Sequence, residues 1–398
     1  MPARAKILIY SHDSFGLGHI RRCRTLGHAI AEAYRGAEVL IVSGSPIIGS
    51  FDFKARVDFI RVPGLIKLRN GEYESLARHR PVNETTQLRA AMIGETALKY
   101  RPDVFIVDKE PLGLRGELEP TLNKMRSQGV KLILGLRDVL DAPGVLAEEW
   151  RRKNAYAAVE ELYDAVWVYG LESFYDPLQG LPLSPRVRAK TTFTGYLRRP
   201  DPPPRLYDDH RLEDFPHRIV VTPGGGGDGG PMIESVLRAY EANGLVLPPA
   251  LFVLGPFMPA PERAAFVRRI KSASQCEAIT FDSRIERRLT SAAGVVAMGG
   301  YNTYCEILSF DKPALLLPRS VPRMEQTIRA RRAAELGLCA AIDMPPDGLA
   351  PLDQVTAAIQ TLSVQPPPSH AQIPGLLDGT QKVVEILRQW LGGLERSP

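Results

Sequence analysis

The chain has 398 residues, of which 44% are hydrophobic and 24% charged, and it carries a formal net charge of +5. This length suits two domains, and the composition is that of a soluble globular protein. No apolar run reaches the roughly 18 residues that cross a bilayer, and the N-terminus shows no signal-peptide core, so we expect a cytoplasmic protein. The four cysteines are far apart, which argues against a zinc site and against disulfides. The chain also has short clusters of arginine residues. They are not interleaved with aromatic residues, so we do not expect nucleic acid as a partner.

Strand-length apolar segments alternate with helical stretches in both halves of the chain. The predicted strands are 6–10, 38–42, 104–107, 132–134, 165–168, 219–222, 251–254, 295–298 and 314–317. This alternation is typical of βαβ units and parallel sheets. A proline-rich, charged stretch near residue 200 interrupts it and indicates a linker. We therefore predict a first domain over 1–198, a linker over 199–217, a second domain over 218–372 and a final helical segment over 373–398.

The first predicted strand leads into the turn Ser-His-Asp-Ser-Phe-Gly-Leu-Gly-His at 11–19. Gly16 and Gly18 permit backbone conformations that other residues resist, and they allow a ligand to approach closely. His19 follows at the start of the predicted helix. Arg21 stands where a dinucleotide-binding turn has its third glycine.

A second glycine-rich turn, at 223–230, follows the strand predicted over 219–222. Its Gly225, Gly226 and Gly227 precede a predicted helix, whose start suits an anion. The turn also matches the G-x-G-x-x-G pattern of dinucleotide-binding oxidoreductases. That reading requires a carboxylate at the end of the following strand, which here ends Val-Leu-Gly-Pro. The sequence therefore disfavours a dehydrogenase.

A third turn, Gly299-Gly300, follows the strand predicted over 295–298, and the helical pattern resumes at Thr303. The partial positive charge of a helix start suits a diphosphate. Glu306 lies one turn further on, where its carboxylate can accept hydrogen bonds from both ribose hydroxyls. The alternative is structural, because Thr303-x-x-Glu306 also fits a helix-capping box.

The region after this strand matches a known motif over roughly thirty residues. The matching positions are Gly300, Thr303, Glu306, Pro313, Pro318, Gln326 and Ala330. They resemble the nucleotide-sugar donor site of GT-B glycosyltransferases, most closely the MurG-like branch, which adds N-acetylglucosamine to a lipid-linked peptidoglycan precursor. The Thr-Gly-x-x-Arg run at 194–198 is similar to the segment with which these enzymes enter their hinge.

The resemblance implies a GT-B fold, in which two Rossmann-like α/β domains with parallel sheets face an interdomain cleft. It also implies that the last helix packs back on the first domain. The implied activity is inverting transfer of a hexose or N-acetylhexosamine from a UDP-sugar to a polysaccharide or lipid-linked acceptor, without a metal or other cofactor. Peripheral contact with the inner face of the cell membrane is compatible with such an acceptor.

The resemblance also assigns roles to individual residues. On the acceptor side the residues are Gly16, Gly18 and Arg21. The donor-binding residues are Gly225, Gly226, Gly227, Phe281, Gly299, Gly300, Asn302, Thr303, Glu306 and Gln326.

The chain contains no Asp-x-Asp motif, with which GT-A enzymes hold a metal. The leaving diphosphate must then be stabilised by helix starts, backbone donors and arginines. His19 is the favoured general base, because imidazole titrates near neutral pH. Asp13, His12 and Asp108 are alternative bases, and a purely structural role for His19 at the helix start also remains open.

The first turn departs from the Gly-Gly-Thr-Gly-Gly-His of MurG-like enzymes. Its Gly-x-Gly-His-x-x-Arg form, from Gly16 to Arg22, is more similar to a MurG relative, the nucleotide-sugar hydrolase of the pseudaminic-acid pathway, which uses water as acceptor. Three hypotheses follow: a glycosyltransferase, a nucleotide-sugar hydrolase, and a non-catalytic sugar-nucleotide-binding protein.

Overall fold

The computed structural model describes residues 4–12, 17–67, 73–77, 79–202, 218–346 and 348–392. The chain forms two compact units, one of Met1–Leu197 and Gly375–Pro398 and the other of Arg198–Pro374. Most of the predicted linker, from 203 to 217, lies outside the described residues, and its first residues belong to the second unit.

The first unit is built on a seven-stranded parallel sheet with the order β3-β2-β1-β6-β7-β8-β9, beside a small antiparallel hairpin of β4 and β5. The central strands are continuous apolar runs, as expected for a parallel sheet that is buried on both faces. The strands are β1 (Ala5–Ser11), β2 (Ala37–Ser43), β3 (Val57–Arg61), β4 (Leu65–Lys67), β5 (Tyr73–Ser75), β6 (Val104–Asp108), β7 (Lys131–Arg137), β8 (Ala165–Tyr169) and β9 (Thr191–Phe193). The helices are α1 (Gly18–Ala33), α2 (Val82–Tyr100), α3 (Glu119–Ser127), α4 (Pro143–Arg152), α5 (Ala155–Glu161) and α6 (Pro185–Ala189).

The second unit repeats the design with a six-stranded parallel sheet in the order β12-β11-β10-β13-β14-β15. Its strands are β10 (Ile219–Thr222), β11 (Ala250–Val253), β12 (Cys276–Ile279), β13 (Gly294–Ala297), β14 (Ala314–Leu316) and β15 (Ala340–Ala341). Its helices are α7 (Gly230–Asn243), α8 (Ala260–Ser272), α9 (Ile285–Ser291), α10 (Tyr301–Ser309), α11 (Glu325–Glu335) and α12 (Leu352–Thr361). No helix in the described ranges is long and apolar enough to cross a membrane.

The last helix, α13 (Gly379–Leu391), belongs to the first unit and packs against α1. The Tyr34 hydroxyl donates a hydrogen bond to the Val384 carbonyl at 2.7 Å. The chain leading into α13 is held by Tyr196, whose N–H donates to the Leu376 carbonyl at 2.7 Å. Close approach requires glycine here, because a Cβ on Gly195 (φ +87°) would lie 2.5 Å from the Gly375 carbonyl oxygen. The C-terminal segment thus braces the helix that begins at Gly18.

Every strand predicted from the sequence is present, with ends shifted by at most a few residues. The pattern missed β3, the β4–β5 hairpin, β9, β12 and β15. β3, β9, β12 and β15 are the outermost strands of their sheets, and each carries partly exposed residues. An edge strand is covered less completely than a central one, so its apolar signal is weaker.

A buried ion pair lies in the core of the first unit, beside β1. Arg89 on α2 donates from Nε and Nη2 to the two carboxylate oxygens of Glu117, each at 2.6 Å. The Tyr10 hydroxyl also donates to Glu117, at 2.6 Å. Neither Arg89 nor the Glu117 side chain is exposed to solvent. Removing one partner therefore leaves the other charge buried and uncompensated.

We expect Glu117→Ala to lower the free energy of unfolding of the first unit by about 3–5 kcal/mol, the range for breaking a buried pair. Urea denaturation followed by tryptophan fluorescence measures the change. The control is Glu148→Ala, because Glu148 pairs with Arg151 on the surface and such a pair contributes about 0–1 kcal/mol. Equal effects of the two substitutions would contradict the structural role assigned to Arg89–Glu117.

Candidate functional site

In the first unit, the loops that follow β1 and β6 bring a histidine and a carboxylate together. β1 and β6 are adjacent parallel strands, so both end at the same edge of the sheet. His19 is the second residue of α1, and Asp108 is the last residue of β6. The His19 Nδ1 lies 2.5 Å from Oδ2 of Asp108. Ligands of open α/β sheets bind at this carboxyl edge.

Arg22 fixes the charge of this carboxylate. Its Nε donates to Oδ1 of Asp108 at 2.7 Å and its Nη2 to Oδ2 at 2.6 Å, in a bidentate pair that is buried on both sides. Burial by itself raises the pKa of Asp108, but Arg22 and His19 outweigh it and hold that pKa below its usual range. Asp108 is therefore an anion at neutral pH and a hydrogen-bond partner of His19.

The same contact determines the tautomer of His19. Nη2 of Arg22 lies 3.2 Å from Nδ1, but the Asp108 oxygen is closer, at 2.5 Å, and an unprotonated Nδ1 would set its lone pair against that oxygen. We therefore assign the proton to Nδ1 and the lone pair to Nε2. Burial lowers the pKa of His19 to about 4, although Asp108 raises it. The side chain remains 17% exposed. His19 is thus neutral at pH 7 and can accept a proton at Nε2.

A second histidine lies beside the first. The His12 ring meets the His19 ring edge-on, with centroids 5.5 Å apart, and its Nδ1 lies 3.4 Å from the Tyr10 hydroxyl. Burial holds the pKa of His12 well below its usual value. His12 therefore packs against His19 as a neutral ring. The predicted residues Asp13 and Gly16 lie outside the described part of the chain.

In the second unit, glycine-rich turns follow the adjacent strands β10 and β13. Gly224, Gly226 and Gly299 have φ values of +80°, +88° and +77°, which only glycine adopts without strain. A Cβ placed on Gly224 would lie 3.8 Å from Oγ1 of Thr303. The first turn therefore adjoins the start of α10, which follows the second. The carbonyl of Gly225 accepts from the Phe257 N–H at 3.0 Å, and Gly227 is partly buried.

Helix α10 begins at Tyr301, two residues earlier than the sequence pattern indicated, and Gly300 is its N-cap. Gly300 has no side chain and so makes no side-chain capping hydrogen bond. The capping-box interpretation of Thr303 and Glu306 is therefore wrong, because Thr303 already lies inside the first turn. Glu306 lies in the second turn and is only 1% exposed.

Gln326 and Phe281 lie on other elements of the second unit, Gln326 on α11 and Phe281 after β12. Gln326 accepts a hydrogen bond from the Arg319 N–H at 3.3 Å, so it shapes the loop after β14. Phe281 is half-buried after β12, at the far edge of the sheet. In the order of the sheet, β12 is three strands away from β13, which is about 14 Å at the usual strand spacing.

Sequence reasoning gave site roles to the neighbours of two arginines that contact candidate site residues. It placed Arg21, which is half-buried, on the acceptor side, whereas Arg22, the arginine of the His-x-x-Arg form, binds Asp108. The i,i+3 spacing of His19 and Arg22 on one helix face was the available signal. It also assigned the hinge motif to Arg198, which is exposed, whereas Arg199 is buried and donates to Asn302 Oδ1 at 2.6 Å. Gly18 is the exposed first residue of α1.

We expect the two glycines Gly226 and Gly300 to respond differently to alanine. A Cβ on Gly226 would lie 2.3 Å from the Leu254 carbonyl oxygen, whereas in the described part of the chain no atom lies within 4 Å of one on Gly300. Gly226→Ala should lower the midpoint of thermal unfolding, since a strained backbone position costs about 1–3 kcal/mol. Gly300→Ala should leave the midpoint nearly unchanged. A stable Gly226→Ala variant would contradict the close approach of the two loops.

No family model matches the chain, and no curated protein matches it. Solved structures match nearly all of it. The spinosyn forosaminyltransferase SpnP is 15% identical, covers 98% of this chain and 100% of its own, and has a TM-score of 0.64. Phytolacca americana UGT2 complexed with UDP-2-fluoroglucose and pterostilbene is 12% identical, with coverage of 98% and 96% and a TM-score of 0.59. Acinetobacter baumannii MurG is 12% identical, with coverage of 97% and 100% and a TM-score of 0.56. This likeness establishes the GT-B α/β fold.

Proposed function

We propose that this protein is a metal-independent, inverting glycosyltransferase that moves a hexose or N-acetylhexosamine from a UDP-sugar to a polysaccharide or lipid-linked acceptor. The observation that carries the proposal is the His19–Asp108–Arg22 arrangement on a GT-B fold. It supplies a neutral imidazole, oriented by a carboxylate, at the carboxyl edge of a parallel sheet. The glycine-rich turns of the second unit supply the matching features for an anionic donor.

In the proposed reaction, His19 Nε2 removes the proton from the acceptor hydroxyl as its oxygen bonds to the anomeric carbon. The bond from that carbon to the diphosphate oxygen breaks, and UDP leaves. Attack opposite the leaving group inverts the anomeric configuration. Asp108 stabilises the imidazolium that forms, and Arg22 keeps Asp108 ionised.

The second unit is proposed to hold the donor. The start of α10 after Gly300 and the turn after β10 are proposed to offer backbone donors to the diphosphate. One helix start contributes only about 0.3–1 kcal/mol, so several donors must act together. Glu306 is proposed to accept the ribose hydroxyls, with Asn302 and Thr303 beside it. The absence of an Asp-x-Asp motif from the sequence supports the metal-independent form of the proposal.

The finer assignments rest on the motif from Gly300 to Ala330. They are membership of the MurG-like branch, UDP-N-acetylglucosamine as donor, and a role in cell-envelope polysaccharide synthesis at the inner face of the membrane. The MurG structure and structures from other GT-B branches are all similar to this chain at the level of fold. A preference for UDP-N-acetylglucosamine in a binding screen of UDP-sugars would support this branch.

Nucleotide-sugar hydrolysis is the second candidate, and one contact favours it. The first turn has the His-x-x-Arg form of the hydrolase, and Arg22 of that motif holds the carboxylate that orients His19. In this version His19 removes a proton from water. No other residue changes its role.

Incubation of the full-length protein with a panel of UDP-sugars tests the proposal. For a transferase we expect UDP release to rise at least about tenfold when a glycan or polyprenyl-phosphate-linked acceptor is added. Stoichiometric release of free sugar without acceptor would favour the hydrolase. UDP binding without turnover of any donor would reject both reactions and favour the non-catalytic binding protein.

We expect His19→Ala to lower turnover by about 100-fold or more, the usual contribution of a general base. The Kd for UDP should change little, because His19 acts on the acceptor. In the wild type, turnover should hold from pH 8 to near 5 and then fall, because protonation of His19 below its pKa of about 4 removes the base. His370→Ala is the control, since His370 is exposed in the second unit. Unchanged turnover of His19→Ala would remove its proposed role.

We expect Glu306→Gln to weaken UDP binding by about 1.5–3 kcal/mol, the contribution of a hydrogen bond to a charged group. The substitution keeps the side-chain volume, removes the charge and replaces one acceptor oxygen by an NH2 donor. Calorimetric titration with UDP measures the loss, and Glu335→Gln on α11, 61% exposed at its side chain, is the control. Wild-type affinity in folded Glu306→Gln would remove Glu306 from the ribose site.

A further inference from the structure

An ion pair joins two loops of the second unit that sequence reasoning did not connect. Arg319 lies in the loop after β14, and Asp228 lies in the glycine-rich turn after β10. Nε of Arg319 contacts the Asp228 carboxylate. In the sheet, β13 lies between β10 and β14, and all three strands are parallel. The pair therefore links the two loops that flank the Gly299-Gly300 turn and the start of α10.

The Arg319 guanidinium is held on its other side. Nη2 donates to Oε1 of the buried Glu325 at 2.9 Å, and Nη1 donates to the Arg323 carbonyl at 3.1 Å. The backbone N–H of Arg319 donates to Oε1 of Gln326 at 3.3 Å, which holds the loop. The two side-chain bonds fix the direction of the guanidinium, so the Nε edge is the part that faces the glycine-rich turn.

Asp228 is the weakly held member of the pair. Its side chain is 50% exposed, compared with 20% for Arg319, and it stands among glycines that permit the backbone to move. An exposed ion pair contributes only about 0–1 kcal/mol. A phosphate group offers more negative charge and several acceptor oxygens, so it is the stronger partner for a guanidinium.

We propose that Arg319 and Asp228 form a latch at the donor site, in which the carboxylate occupies the place on Arg319 that a phosphate of the nucleoside diphosphate takes. Binding of the diphosphate displaces Asp228 and opens the contact between the two loops. The inference rests on the proposed function, because it assigns Arg319 to the anionic part of the donor. Asp228 then competes with the ligand for Arg319 and lowers the affinity for the diphosphate.

Calorimetric titration with UDP and, separately, with inorganic pyrophosphate tests the latch. Removing the competing carboxylate in Asp228→Asn should tighten binding of both ligands about two- to fivefold, the range of an exposed ion pair. Arg319→Gln should weaken binding about tenfold or more, as for loss of a hydrogen bond to a charged group. Arg319→Lys keeps the positive charge but loses the forked donors of the guanidinium, so it should also bind both ligands more weakly. Thermal unfolding of each variant checks that it is folded.

The double variant, Asp228→Asn with Arg319→Gln, distinguishes a latch between the two residues from simple repulsion of the ligand by Asp228. If Asp228 acts through Arg319, its substitution should give no gain in the Arg319→Gln background. A gain that persists there would mean that Asp228 only repels the ligand, and the latch would be rejected. Asp343→Asn is the matched control, because Asp343 pairs with Arg331 in the same unit at similar exposure.

The two ligands distinguish failure of the latch from failure of the proposed function. If pyrophosphate follows the expected pattern and UDP does not bind, the latch stands and the UDP-sugar donor is wrong. If UDP binds to Asp228→Asn and Arg319→Gln as it does to the wild type, the donor stands and the latch is rejected. If neither ligand binds to the wild-type protein, both are rejected.

Discussion

The arrangement around His19 in the first unit, and the chemistry proposed for it, depend on the ion pair between Arg22 and Asp108. Asp108 is buried, and burial alone would favour its protonated form. A neutral carboxylic acid would hold the imidazole less firmly and would not stabilise its protonated form. Because Arg22 donates two hydrogen bonds to it, Asp108 stays ionised and accepts a hydrogen bond from the Nδ1–H of His19, so the lone pair of His19 is on Nε2. One guanidinium therefore sets the charge, the tautomer and the direction of the proposed base.

The second buried pair, Arg89 with Glu117, also lies in the first unit. Glu117 accepts the Tyr10 hydroxyl near the end of β1, and that hydroxyl lies beside His12. Arg22 and Arg89 thus both hold carboxylates within the core, where an unpaired carboxylate would be unstable. In the second unit, Arg199 contacts Asn302 at the start of α10, and Arg319 contacts Asp228 and Glu325.

Much of the fold was predictable because both sheets are parallel. Parallel strands are buried on both faces and appear as continuous apolar runs. The central strands of both sheets were therefore recognised. The outer strands β3, β9, β12 and β15 were missed, since partial exposure weakens the same signal. Helix starts were less certain. Gly300, with no side chain, caps α10, and the Thr303–Glu306 spacing suggested a cap that the structure does not contain.

The sequence by itself determined the alternation of strands and helices, the glycine-rich turns and the candidate residues His19 and Glu306. These are local properties, set by periodicity, by backbone freedom and by short spacings. The tertiary structure decided which residues meet. Asp108 is 89 positions from His19 and reaches it only because β6 lies next to β1. The choice of Arg22 over Arg21 follows from the helix, which turns neighbouring side chains by about 100°.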